Sequence, residues 1–84
     1  MYYVYLLKSK KTKWIYVGYT SDLRKRFEQH CSGKNLTTRR YLPVELAYYE
    51  AYLSATDAMK REASLKKYGN SLGLLKKRLV NSMK

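Results

Sequence analysis

Hydrophobic and polar positions alternate at the start of the chain. In "MYYVYLLK", Tyr3, Tyr5 and Leu7 point to one side of an extended backbone and Tyr2, Val4 and Leu6 to the other, which predicts a strand over Tyr2 to Leu7. After the polar "KSKKTK", Trp14 to Tyr19 predicts a second strand, and so short a connection makes the pair an antiparallel hairpin. With Leu7 opposite Trp14, Tyr5 would face Tyr16 and Tyr3 would face Gly18. A slip of one residue would put the two tyrosines on different faces. The period changes at "TSDLRKRFEQH", where Thr20, Ser21 or Asp22 can cap a helix running to about Cys31 and stopping near Gly33. "KNLTTRRYL" reads as a polar, basic loop, and Pro43 precedes a third strand, "VELAYYEAYL". Ser54 with Asp57 opens a helix to about Tyr68, for which Gly69 is a natural C-terminal residue. Asn70 or Ser71 can cap a last helix with Leu72, Leu75 and Leu79 as its stripe. The order β-β-α-β-α-α predicts an α+β fold, a three-stranded antiparallel sheet flanked by helices, in one domain over residues 1–84.

Two helices break their own pattern. Leu23, Arg26, Phe27 and His30 share one stripe of the first, so a guanidinium and the only histidine lie where an apolar face should pack. Arg26 either snorkels, its stem packed and its head in water, or points into a cleft. His30, near the helix end, can bond the last carbonyls or serve a site. In the helix from Ala55, the stripe Ala55, Ala58, Met59, Glu62 and Leu65 is apolar apart from Glu62. A carboxylate there must pair with a neighbouring cation, sit at an edge with its head in water, or hold a metal ion.

Composition narrows the chemistry. Eighty-four residues bury roughly 60% of their unfolded surface, leaving no room for a large enclosed cofactor. One cysteine, Cys31, excludes an internal disulfide and is too little for structural zinc. No segment reads as a signal peptide or a membrane span, so a cytoplasmic protein without a membrane partner is expected. A net charge of +12 attracts polyanions, nucleic acid first and acidic membrane second. Ten tyrosines add stacking faces for bases, although tyrosine also serves strands and cores.

Of six acidic residues, Asp22 and Asp57 are explained by caps and Glu28 falls on an outer face. Glu45 and Glu50 remain open on the third strand, and Glu62 is the best metal-ligand candidate. One carboxylate can hold Mg²⁺ when waters and a substrate phosphate complete the octahedron. An arginine beside it would offset charge on the reacting phosphorus, and a tyrosine could take a proton from water. The chain has no GxSxG, P-loop, GxGxxG or HExxH motif.

These residues together resemble the GIY-YIG nuclease superfamily, in particular its small stand-alone bacterial UPF0213-type proteins. "YVY", Tyr3 to Tyr5, matches GIY, with Tyr3 in place of the glycine, and "YVG", Tyr16 to Gly18, matches YIG. The tyrosines are eleven residues apart, Arg26 follows the glycine by eight, and His30 follows Arg26 by four. "REASLKKYGNS" resembles the glutamate-bearing helix and points to Glu62.

The resemblance implies metal-dependent endonuclease (hydrolase) activity on DNA phosphodiester bonds, with one Mg²⁺ or Mn²⁺ ion held by Glu62. Tyr5 or Tyr16 would act on the water, Arg26 on the phosphate, and His30 as a supporting polar group. Gly18, Lys25, Arg39, Arg40 and Lys66 are the expected substrate contacts. DNA rather than RNA is the expected partner, recognised by structure rather than sequence. Nucleases of the superfamily commonly carry a separate DNA-targeting domain, which this sequence is read as lacking, so a targeting partner protein enters the expectations; a small basic domain with no zipper is expected to be a monomer. A non-catalytic nucleic-acid-binding module on the same fold is the alternative, and a surface that docks on an acidic protein is a third reading.

Overall fold

The computed structural model describes residues 1–67 and 69–84. Strands β1 (Tyr2–Ser9), β2 (Ile15–Thr20) and β3 (Val44–Tyr52) form one antiparallel sheet in the order β2-β1-β3. Helices α1 (Leu23–Cys31) and α2 (Leu36–Arg39) separate β2 from β3, and α3 (Ala55–Lys67) and α4 (Gly69–Arg78) follow it. The α+β class and the order of the main elements are those read from the sequence. The addition is α2, a single turn inside the segment expected to be a loop. The expected helix end at Tyr68 lies outside the described residues, and Gly69, expected to end α3, instead opens α4.

Alternation along β1 divides the protein into two cores. Val4 and Leu6 pack with Val17, Ala58, Leu65 and Leu75 under α3 and α4. Tyr5, Leu7 and Val44 pack on the other face, with Tyr16, Leu23, Phe27 and Leu46 around them. The Ala55–Leu65 stripe is only partly inward: Ala58 and Leu65 are buried, but Met59 is 51% exposed.

The hairpin register differs from the expected one by two residues. Leu7 pairs with Tyr16, Tyr5 with Gly18 and Tyr3 with Thr20. A shift of two leaves every side chain on its expected face, so the alternation does not detect it. Its physical cause is the connection. Ser9 Oγ accepts from the amides of Lys11 and Thr12 and donates to the Tyr41 carbonyl, while Thr12 Oγ1 accepts from the Trp14 amide. Trp14 stays outside the strand and stacks on Tyr41, ring centroids 3.9 Å apart and nearly parallel.

Both ends of α1 are closed by side chains and turns that the sequence supplies. Asp22 is the N-cap, accepting from the Lys25 amide at 3.1 Å. At the other end Gly33 adopts φ +80°, its amide donates to the His30 carbonyl, and the Lys34 amide donates to that of Gln29. This paired closure requires a left-handed residue, which glycine takes without strain. α1 therefore ends just after His30 and fixes that side chain over the sheet.

Candidate active site

His30 is completely buried, 0% exposed, between a strand and a loop helix. Its Nε2 lies 2.9 Å from the Tyr5 hydroxyl and its Nδ1 lies 2.8 Å from Thr38 Oγ1. Burial and the nearby Arg26 charge both hold its pKa below the ordinary 6.5, so the ring is neutral at pH 7. A neutral imidazole donates from one nitrogen and accepts at the other. Thr38 directs its hydroxyl toward the Asn35 carbonyl, which makes Thr38 the acceptor from Nδ1–H and Tyr5 the donor to Nε2. Thr38 is itself placed by Asn35, whose side chain accepts from the amides of Thr37 and Thr38 to cap α2. Sequence reasoning missed Thr38. Its one local signal, an asparagine before "LTTR", is too short to show helical periodicity.

The two tyrosines occupy different environments. Tyr5 is 0% exposed, and burial, followed by the Tyr16 phenol, raises its pKa well above the ordinary 10, with Arg26 opposing. Tyr5 therefore stays protonated, as its donation to His30 requires. Tyr16 is only half-buried, and its ring meets His30 edge to face at 5.1 Å and Tyr5 at 6.2 Å. The two are diagonal neighbours, because Tyr5 is directly opposite Gly18.

That pairing explains Gly18. A Cβ built there would collide with Cζ and Oη of Tyr5, so the Tyr5 ring lies across the space a side chain would need.

Arg26 is half-buried on α1, and its charge acts on both Tyr5 and His30. A groove of about 380 Å³ opens beside it, lined by Thr20, Ser21, Asp22, Lys25, Arg26 and Gln29. Glu62 lies on α3 with its side chain 25% exposed, and its charge also reaches Tyr5. Its carboxylate pairs with Lys66 at 3.2 Å, and Lys66 Nζ lies 6.0 Å from the centre of the Tyr16 ring. The structure thus brings Tyr5, Tyr16, Arg26, His30, Glu62 and Lys66 into one neighbourhood, with Lys25 at its margin. Neither Arg39 nor Arg40 lines the groove beside Arg26. Arg39 packs its stem beside Gly33, and Arg40 borders a groove with Trp14, Leu36, Thr37 and Tyr41.

A GIY-YIG catalytic domain matches residues 1–78, nearly the whole chain. The chain belongs to the GIY-YIG family. Within it, UPF0213 proteins of Streptococcus pyogenes serotypes M5 (strain Manfredo), M2 (strain MGAS10270) and M28 (strain MGAS6180) are each 47% identical over 66 residues, 77% of this chain and 71% of each relative. No solved structure matches the chain. The GIY-YIG elements thus fall on β1 and β2, and the polar cluster just described is built from them and from α1, α2 and α3.

Two carboxylates left open by the sequence are accounted for elsewhere in this GIY-YIG domain. Glu45 pairs with Lys8 at 3.2 Å and Lys10 at 3.9 Å, and Glu50 is held by Arg61 at 3.0 Å. Among the described residues there is no group of three or more His, Cys, Asp or Glu that could hold a metal ion. Nor, among them, is any helix long and apolar enough to cross a membrane.

Proposed function

We propose that this domain hydrolyses phosphodiester bonds in DNA with the help of one divalent cation, Mg²⁺ or Mn²⁺. The observation that carries the reading is the buried Tyr5–His30–Thr38 chain beneath Tyr16 and Arg26. Three hydrogen-bonding side chains are fixed there on an otherwise apolar sheet face. Such preorganised polar groups are worth most where water is excluded.

Glu62 fits a single-carboxylate Mg²⁺ site. It is partly exposed, and its one ionic partner among the described residues is a flexible surface lysine. When bound, the ion would polarise the phosphate and stabilise the leaving oxygen. The remaining roles fall to the chain. Arg26, facing its groove, binds the phosphate and offsets charge on its oxygens. Tyr16, the half-exposed tyrosine, faces the attacking water and accepts a hydrogen bond from it, the water's proton passing to solvent as its oxygen bonds to phosphorus. Tyr5, sealed from solvent, orients His30 and fixes the floor on which Tyr16 rests. Lys25 and the basic surface hold the DNA backbone without reading bases.

Purified protein incubated with supercoiled plasmid in Mg²⁺, Mn²⁺ or EDTA tests this. Nicking that needs metal and is lost, by about 100-fold or more, in both Arg26→Ala and Glu62→Ala is the expected outcome. One observation favours a second reading, a binding module without catalysis: Lys66 already neutralises Glu62. That reading expects salt-sensitive DNA binding, indifferent to metal and unchanged by Glu62→Ala, and no nicking.

A further inference from the structure

We propose that a second groove, on the opposite flank of α1 from Arg26, receives an unpaired nucleobase of the bound DNA; this rests on the DNA reading above. The groove measures about 460 Å³, inside the roughly 300–1,000 Å³ typical of small-molecule sites. Its lining includes Tyr3, Phe27 and Tyr49, together with Leu23, Leu46 and Arg24. Tyr49 is 53% exposed, although it lies directly opposite the fully buried Tyr5. Tyr3 and Tyr49 meet edge to face with centroids 6.0 Å apart, an arrangement that leaves the faces of one ring uncovered by the other.

Position identifies the occupant. Ser21 and Asp22 line both this groove and the groove that holds Lys25 and Arg26. A phosphate on Arg26 and a flat aromatic group stacked on the exposed Tyr49 would therefore be parts of one ligand, separated by the first turn of α1. A nucleic-acid strand, with phosphates and bases repeating along it, has that construction. Arg24 adds a cation on the aromatic side, as a ligand with a charged backbone requires. Stacking on tyrosine accepts any base, because every base has a π-face.

A base inside a duplex cannot reach such a groove. Extrusion costs least where the base is already unpaired. The groove thus selects DNA with a bulge, bubble or flap next to the phosphate on Arg26. It supplies a physical basis for recognition by structure, and it gives the exposed tyrosines a use that the hydrophobic core does not.

The test uses the whole protein in EDTA and a duplex carrying one bulged 2-aminopurine, compared with the fully paired duplex. The expected result is quenching of 2-aminopurine fluorescence and tighter binding of the bulged duplex by about 5- to 100-fold, the range one stacked base supplies. Tyr49→Ala removes both effects and Tyr49→Phe retains them, and an abasic bulge binds only as the paired duplex does. Equal binding of bulged and paired DNA, a preference that survives Tyr49→Ala, or an abasic bulge bound as tightly as the base would each overturn the proposal. Arg26→Ala separates the two readings. Weakened binding of both duplexes keeps the phosphate site even where the nucleobase groove fails. No binding of either duplex removes the DNA reading and the groove with it, and binding untouched by Arg26→Ala removes the phosphate site on Arg26 and overturns the adjacency from which the groove's occupant is argued.

Discussion

The two faces of the sheet each hold an ionisable side chain away from bulk water, His30 on one and Glu50 on the other, and they treat it differently. Glu50, on the face covered by α3 and α4, accepts from Arg61 Nε and Nη2 at 3.0 Å, from the Tyr48 hydroxyl at 2.8 Å and from the Tyr52 hydroxyl. Burial alone would raise its pKa, but the Arg61 and tyrosine hydrogen bonds outweigh that and hold it below the ordinary 4.5. Burial first, and then its hydrogen bond to Glu50, push the Tyr52 phenol up to about 12. Both carboxylate oxygens of Glu50 are thus matched by donors inside this network. On the opposite face His30 is satisfied by Tyr5 and Thr38, yet Tyr16 and Arg26 on that side, and Glu62 contributed by α3, keep contact with solvent. A closed network orders the fold; an open one is available to a ligand.

The largest stability effect expected lies on the closed face. Arg61→Ala leaves Glu50 charged without its cation. Both side chains keep some exposure, so the loss is about 3 kcal/mol, the lower end for a broken buried pair. Chemical denaturation measures it. A well-folded Arg61→Ala protein within 1 kcal/mol (an order-of-magnitude threshold) of the parent would remove the contrast between the faces.

Gly18→Ala comes next. The new methyl overlaps the Tyr5 ring, and overpacking of this kind costs about 1–3 kcal/mol. Because the ring that must move carries the hydroxyl bonded to His30, plasmid nicking should fall further than the stability loss explains. Activity retained in step with the folded fraction would show that Tyr5 need not be so exactingly placed.

Acid separates the faces without mutation. His30 has a lowered pKa in the folded state, so below about pH 6.5 the unfolded chain takes the proton first and stability falls as pH drops. Glu50 has a lowered pKa too, and its contribution is lost only as pH falls below about 4.5. Thermal midpoints should therefore decline in two stages. His30→Gln, less stable at pH 7, should abolish the first stage alone, which a pH series of melting curves would check.

The smallest effect belongs to the ion pair at the site margin. Lys66→Ala should cost about 0.3–0.5 kcal/mol, as exposed i,i+4 pairs do, yet lower the Mg²⁺ concentration needed for half-maximal nicking by freeing Glu62. A higher metal requirement instead would show that Lys66 serves the bound phosphate.

How far this contrast was legible in the sequence depended on the length of each pattern. The strands, their faces and the helix carrying Arg26 and His30 were readable because alternation and helical period persist over many residues. The hairpin register was not, since a two-residue shift preserves the alternation and is set by Ser9 and Thr12 in the loop. In α3 the expected stripe included Met59, whereas Arg61 turns inward to meet Glu50, a partner on another element that local spacing does not reveal. The resemblance to the family pointed to Tyr5, Tyr16, Arg26, His30 and Glu62, which the structure brings into one neighbourhood. It could not show that Tyr5 is sealed while Tyr16 is not, because burial follows from how α1 and α2 close over the sheet.

Tyr5 stands on the central strand, with β2 on one side and β3 on the other. Its backbone amide can exchange with solvent only when a sheet edge leaves or the whole domain opens, and the two cores share that strand. The floor of the site thus has little local breathing of its own. In hydrogen-exchange terms it belongs to the last unit to open, while the rims that meet a ligand are free to respond sooner.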